Sequence, residues 1–81
     1  MNTVNICMVG SAMTDLVSRV PRLPGAGETL IGSSFSIGFG GKGSNQAVMA
    51  ARLGAKVSVV VNLGKDVFFE TYLKNYHEQG I

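Results

Sequence analysis

The sequence has no tryptophan, a single cysteine, Cys7, and a single histidine, His77. One cysteine excludes an internal disulfide and fits a reducing cytosol. Because Cys7 lies in an apolar run, it is expected to be a buried, inert thiol. Charge is scarce as well: 15% of residues are charged, the net charge is +2, and the seven basic residues are scattered from Arg19 to Lys74. That leaves no basic stripe with which to bind nucleic acid. No segment approaches the roughly 18 uninterrupted apolar residues of a membrane span. Asn2, Thr3 and Asn5 interrupt anything resembling a secretory leader. The expectation is a soluble intracellular protein, cytoplasmic or nuclear, with neither nucleic acid nor membrane as partner.

What is present is apolar residues and glycine. Hydrophobic residues make up 46% of the 81 positions, which excludes a disordered tail. A chain of this size buries only about 60% of its unfolded surface, so it is marginal alone. Val4–Gly10 is a mostly apolar run ended by glycine, which predicts a strand buried on both faces, as in a parallel sheet. Ser11–Asp15 then leaves the carboxyl end of that strand, where open α/β sheets place ligands.

From Leu16 to Phe39 the character changes. Pro21, Pro24, Gly25, Gly27 and Gly32 punctuate two β-prone pieces, Leu16–Val20 and Ser34–Ile37. Loose alternation of apolar and polar residues predicts a small antiparallel sheet projecting from the main one as a flap or lid. A helix is expected from about Ser44 to Leu53, with Ala47, Ala50, Ala51 and Gly54 along one side and Gly54 at its left-handed cap. Lys56–Asn62 reads as a second buried strand. Asp66 is expected to cap the next helix, whose Phe69, Tyr72, Leu73 and Tyr76 form an amphipathic face. Glu70 and Lys74 are spaced to pair on its outside, Gly80 closes it, and Ile81 reads as the start of a third strand. The sum is a β–flap–α–β–α start to a doubly wound sheet, and the expectation is a fragment or truncated form that stops in mid-fold.

The most informative stretch is Phe39–Ala47, Phe-Gly-Gly-Lys-Gly-Ser-Asn-Gln-Ala. A glycine turn here delivers Lys42 and Asn45 to the start of a helix, where unpaired N–H groups and the helix dipole add positive character. Such a place suits a polyhydroxylated or anionic small molecule. Gly38–Gly43 also satisfies the G-x-G-x-x-G dinucleotide fingerprint, but the first buried strand ends far upstream at Gly10. A phosphate-binding P-loop is excluded, since Gly43 follows Lys42 and Ser36 stands where its first glycine belongs. Asp15 admits two readings: an Asx-type turn former, or a carboxylate accepting hydrogen bonds from two sugar hydroxyls. Lys42 is either solvated or a ligand contact, and Asn45 either a helix cap or a ligand contact. Their clustering on one sheet edge favours the ligand. His77 reads as solvated, and Met8, Met13 and Met49 as packing. Glu28 is as readily a turn former as a site residue.

Gly10-Ser11-x-x-x-Asp15, Pro24-x-x-Gly27-Glu28-Thr29, Gly40-Gly41-Lys42-Gly43-Ser44-Asn45-Gln46-Ala47 and Leu63-Gly64-x-Asp66-x-Phe68 resemble, in order and spacing, the N-terminal part of the PfkB carbohydrate kinases. The likeness runs over residues 1–81, which correspond to well under half of a complete enzyme. Within the family, Gly-Gly-Lys-Gly-x-Asn points to members acting on ribose. The resemblance implies a three-layer α/β/α domain with a small β lid over residues 16–37. It also implies ATP-dependent phosphorylation of D-ribose at its 5-hydroxyl with Mg²⁺ and a monovalent cation, K⁺, and a homodimer formed through the lids. Carried over residue by residue, Asp15 would bind ribose hydroxyls, Gly41 and Lys42 would line the pocket, and Asn45 would hydrogen-bond the sugar. Met13 stands where many such kinases place a sugar-contacting asparagine, and Phe69 where the family commonly has glycine. The catalytic aspartate, anion hole, ATP pocket and cation site of the family all correspond to positions beyond Ile81, so no catalytic, cofactor or metal residue is assigned in this chain. The 81 residues by themselves are expected to show no ribose-dependent ATP turnover. Alternative readings are a non-catalytic product retaining a dimerising lid or weak sugar site, another PfkB sugar or nucleoside kinase, and a nucleotide-binding Rossmann fragment.

Overall fold

The structure, a computed structural model, describes residues 3–81; Met1 and Asn2 of the unit expected over 1–81 lie outside the described residues. The apolar run after Thr3 forms strand β1 (Asn5–Val9). A hairpin follows, β2 (Met13–Arg19) and β3 (Ser34–Gly40), then helix α1 (Lys42–Arg52), strand β4 (Lys56–Val60) and helix α2 (Phe69–Glu78). β1 and β4 pair in parallel, with Ile6 opposite Val57 and Met8 opposite Val59, while β2 and β3 pair antiparallel as a separate sheet. The molecule is accordingly elongated, 56 Å in its longest dimension and 19 Å in its shortest.

Side chains alternate across a strand, and one face of the parallel pair packs on α1. Met8, Ala47 and Val57 form the core there, with Ala50, Ala51 and Val59 against it. The alanines let the helix approach the sheet closely. At the amino end of α1 the approach is closer still: a methyl group on Gly43 would lie 3.3 Å from the Gly10 α-carbon and 2.6 Å from the Met8 sulfur. This contact seats the start of α1 against the carboxyl end of β1. α1 ends as expected, with Gly54 at φ 101° just past the Leu53 cap.

The other face of the pair departs from the sequence reading. It carries Cys7, Val9 and Val60, and Val9 is 75% and Val60 58% exposed. Cys7 is exposed rather than buried. The run was apolar enough for two covered faces, but only α1 supplies a cover among the described residues. Met13 and Met49 are likewise exposed rather than packed, leaving Met8 as the buried methionine of the three.

The hairpin is longer than its β-prone pieces. β2 begins at Met13 and β3 runs to Gly40, so Asp15 is a strand residue opposite Gly38 rather than part of a turn. Backbone pairing carries the ladder through Gly38 and Gly40, where side-chain alternation gives no signal. The glycine turn shrinks to Gly41, and α1 starts at Lys42 rather than Ser44.

α2 presents the expected face: Tyr72 and Tyr76 are 1% and 3% exposed, and Phe69 and Leu73 are half-buried. Asp66 does not cap this helix. Its Oδ1 accepts the Phe68 N–H at 2.9 Å, forming a turn one step ahead of the Phe68 cap. Lys74 pairs with Glu78 at 3.9 Å rather than with Glu70. Ile81 is not in a strand; its N–H donates to the Tyr76 carbonyl and its side chain packs on the core.

Candidate functional site

The two sheets are joined at two crossings, Gly10–Ala12 between β1 and β2 and Gly41 between β3 and α1. Gly41 has φ 102°, a region open to glycine, and a methyl group there would lie 2.5 Å from the Ser11 carbonyl oxygen. The crossings therefore touch, and the start of α1 is brought beside the start of β2.

Asp15 stands on the hairpin face shared with Gly38 and Gly40. A methyl group on Gly40 would lie 2.7 Å and 2.8 Å from the two carboxylate oxygens of Asp15. The carboxylate thus lies flat over the Gly40 α-carbon, in space that any other residue would fill. Two residues further on, Lys42 opens α1 with its side chain exposed, and no side chain caps that helix. A carboxylate acceptor lies beside Gly40, and Lys42 and the first N–H groups of α1 follow directly in the chain. Groups of these types can accept hydrogen bonds from hydroxyls and donate to them, the chemistry of polyol recognition.

The base of the site is held from behind by buried hydroxyls. Ser44, 2% exposed, donates its Oγ–H to the Ser11 carbonyl at 2.8 Å, and its N–H reaches the same oxygen at 3.3 Å. With that single hydroxyl proton used, Tyr76 donates to Ser44 Oγ at 2.5 Å. Burial pushes the Tyr76 phenol above its ordinary value, so its proton is held more tightly. Tyr72 donates to the Gly40 carbonyl at 2.5 Å, and its ring meets Phe39 edge to face at 5.3 Å.

The other residues expected at the site are placed as follows. Met13 is the register partner of Gly40 and is 59% exposed. Asn45 lies one helical turn beyond Gly41, whose carbonyl accepts the Asn45 N–H at 2.9 Å. The Asn45 side chain lines a shallow depression of about 300 Å³ with Phe39, Met49, Arg52 and Gln79, and Asp15 does not line it. Asp15 thus meets Gly40, with Gly41 and the exposed Lys42 following in the chain, while Asn45 sits at one side. Phe69 lines a cavity of about 280 Å³ with Thr14, Leu16, Leu63 and Tyr72, on the opposite face of β2 from Asp15. Glu28 is a turn former: it accepts the Gly25 N–H at 2.9 Å and pairs with Arg22, whose guanidinium holds its carboxyl below the ordinary range. His77 is exposed, as expected. Gly40, Ser44, Tyr72 and Tyr76 were not legible as supports of the site. The available signal was tyrosine, rather than leucine or phenylalanine, at two successive turns of a buried face.

A parallel strand–helix–strand unit with a hairpin inserted after its first strand, and a carboxylate at the hairpin base, defines a mixed α/β protein. Residues 3–81 match the family described as pfkB family carbohydrate kinase. Mouse ribokinase is 54% identical over 76 residues, covering 94% of this chain and 24% of that protein. The deoxyribokinase of Salmonella typhi is 42% identical over 78 residues, 96% of this chain and 26% of that protein. Among solved structures, the ribokinase of Giardia lamblia superposes with a TM-score of 0.84 at 38% identity, covering 99% of this chain and 24% of that one. The ribokinase of Thermotoga maritima superposes with a TM-score of 0.83 at 32% identity, covering 99% and 27%. This chain belongs to the pfkB family of carbohydrate kinases. It spans about a quarter of the length of the relatives it matches.

Proposed function

We propose that this chain supplies the acceptor-sugar half of an ATP-dependent pentose kinase, which phosphorylates the 5-hydroxyl of D-ribose in the whole protein. The observation that carries this reading is the Asp15 carboxylate lying over Gly40, two residues before Lys42 at the start of α1, which no side chain caps. Asp15 accepts hydrogen bonds from two ring hydroxyls, Gly41 and Lys42 line the pocket, and Asn45 and Met13 approach the sugar from its rim. The lid, expected over residues 16–37, corresponds to the outer part of the β2–β3 hairpin and closes over the sugar to exclude water before transfer. Its exposed Leu16, Phe35 and Ile37 suit a homodimer built through the lids.

ATP supplies the phosphoryl group in this scheme, with Mg²⁺ and K⁺ as further requirements of the family. Among the described residues no three His, Cys, Asp or Glu side chains come together as a cation cage. In this scheme both ions are held by other parts of the whole protein. No helix among the described residues is long and apolar enough to cross a membrane, and a reducing cytoplasm suits the free Cys7 thiol.

A second reading is 2-deoxyribose as acceptor. The Salmonella relative is a deoxyribokinase, and Met13 offers no polar atom of hydrogen-bonding strength to a hydroxyl beside Gly40. Calorimetric titration of D-ribose and 2-deoxy-D-ribose into the full-length protein tests both readings, wild type against Asp15→Ala. Hydrogen bonds to a charged acceptor are each worth about 1.5–3 kcal/mol. Ribose affinity is therefore expected to fall about tenfold or more in Asp15→Ala. Unchanged binding removes Asp15 from the site, and preferential binding of the deoxy sugar selects the second reading.

A further inference from the structure

We propose that Tyr72, with Tyr76 behind it, is a positioning residue that sets the sugar site from α2, acting through the backbone on either side of Gly41. The proposal rests on the reading of that site as the pentose pocket. Tyr72 and Tyr76 stand one turn apart on the buried face of α2, yet they grip different parts of the chain. Tyr72 donates to the carbonyl of Gly40, the last residue of β3 and the one beneath the Asp15 carboxylate. Tyr76 donates to Ser44, which in turn donates to the Ser11 carbonyl, the oxygen that a side chain on Gly41 would strike.

The clamp therefore fixes the floor under Asp15 on one side of Gly41 and the first turn of α1 on the other. Apart from its two covalent crossings, the hairpin makes few contacts with the parallel sheet. The Tyr72 hydroxyl and the Phe39–Tyr72 ring contact tie its base to α2. Both tyrosines are buried. Their effect is on where Asp15 and Lys42 stand relative to each other.

The test is Tyr72→Phe in the full-length protein, which deletes one oxygen and keeps the ring against Phe39. The Kd for D-ribose is expected to rise roughly two- to tenfold, the loss of one neutral hydrogen bond, with KM for ATP unchanged. Without sugar, amide hydrogen exchange is expected to quicken at Gly41–Asn45 and stay unchanged in Ile6–Val9 and Val57–Val60. Ser44→Ala, which severs the second arm, is expected to give the same local pattern. Exchange that is unaltered, or that quickens evenly across the parallel sheet, would overturn the proposal by showing no role or a merely structural one. The exchange arm needs no sugar. If the wild-type protein binds no pentose, the functional reading fails and this arm still decides the clamp.

Discussion

The parallel β1–α1–β4 layer and the β2–β3 hairpin are held together in opposite ways. In the layer, Met8, Ala47 and Val57 are buried together. In the hairpin, Gly40 is the single buried residue, and Leu16, Val17, Phe35 and Ile37 are 46–61% exposed. A two-stranded hairpin without a covered face is marginal in water. Its position therefore depends on its base, which is where Asp15, Gly40 and Gly41 lie. A packed layer and a loosely held hairpin meeting at the proposed binding residue is an arrangement suited to closure over a ligand.

That contrast can be tested by substitution. The largest effect on stability is expected from Met8→Ala, which empties the core and should cost about 2–5 kcal/mol. Ile37→Ala, on an exposed hairpin face, should cost well under half as much. Thermal or urea unfolding of the two variants checks the ranking, and equal costs would refute the division into a packed layer and an unpacked hairpin. Next comes Gly40→Ala. Its methyl group displaces the Asp15 carboxylate, so ribose affinity should fall about tenfold, as for Asp15→Ala, while the melting temperature moves much less than in Met8→Ala. Calorimetry and a melting curve on the same sample separate the two.

A smaller effect is expected from pH. Burial raises the Tyr76 phenol above its ordinary value of 10.0, so the fold holds this proton more tightly than the unfolded chain does. The associated stability is fully present below about pH 10 and is lost as pH rises through the folded value. Tyr76→Phe should flatten that alkaline loss in melting curves recorded across pH 10. Smallest of all is Glu28→Gln. Arg22 and then the Gly25 N–H lower the Glu28 carboxyl, so its contribution is present above the ordinary value of 4.5 and fades as pH falls through the folded one. The pair is exposed, and the neutral-pH melting temperature of the variant should be indistinguishable from wild type.

The sequence revealed the layer more fully than the hairpin, for physical reasons. Val57, Val59 and Ala47 carry strong periodic signals because each buries apolar area, and Gly54 ends its helix by a local backbone rule. The extent of β2 and β3 was hidden because Gly38 and Gly40 have no side chains to alternate. Asp15 is a candidate from its neighbours in sequence, but its place in a strand, and the need for glycine beneath it, come from a contact across the hairpin. Cys7 was misjudged because an apolar run says how much can be covered, not what is there to cover it. The Tyr72 and Tyr76 hydroxyls were masked by their own rings, which satisfy an amphipathic pattern whether or not the oxygen has a partner.

The most direct test is an amide NMR titration of the full-length protein with D-ribose. Resonances of Asp15, Gly40, Gly41, Lys42 and Asn45 are expected to shift together, with Cys7 and Ser58 on the uncovered sheet face unmoved. Shifts confined to the cavity around Leu63 and Phe69, or to the depression around Arg52 and Gln79, with Gly40–Lys42 silent, would contradict the site described above.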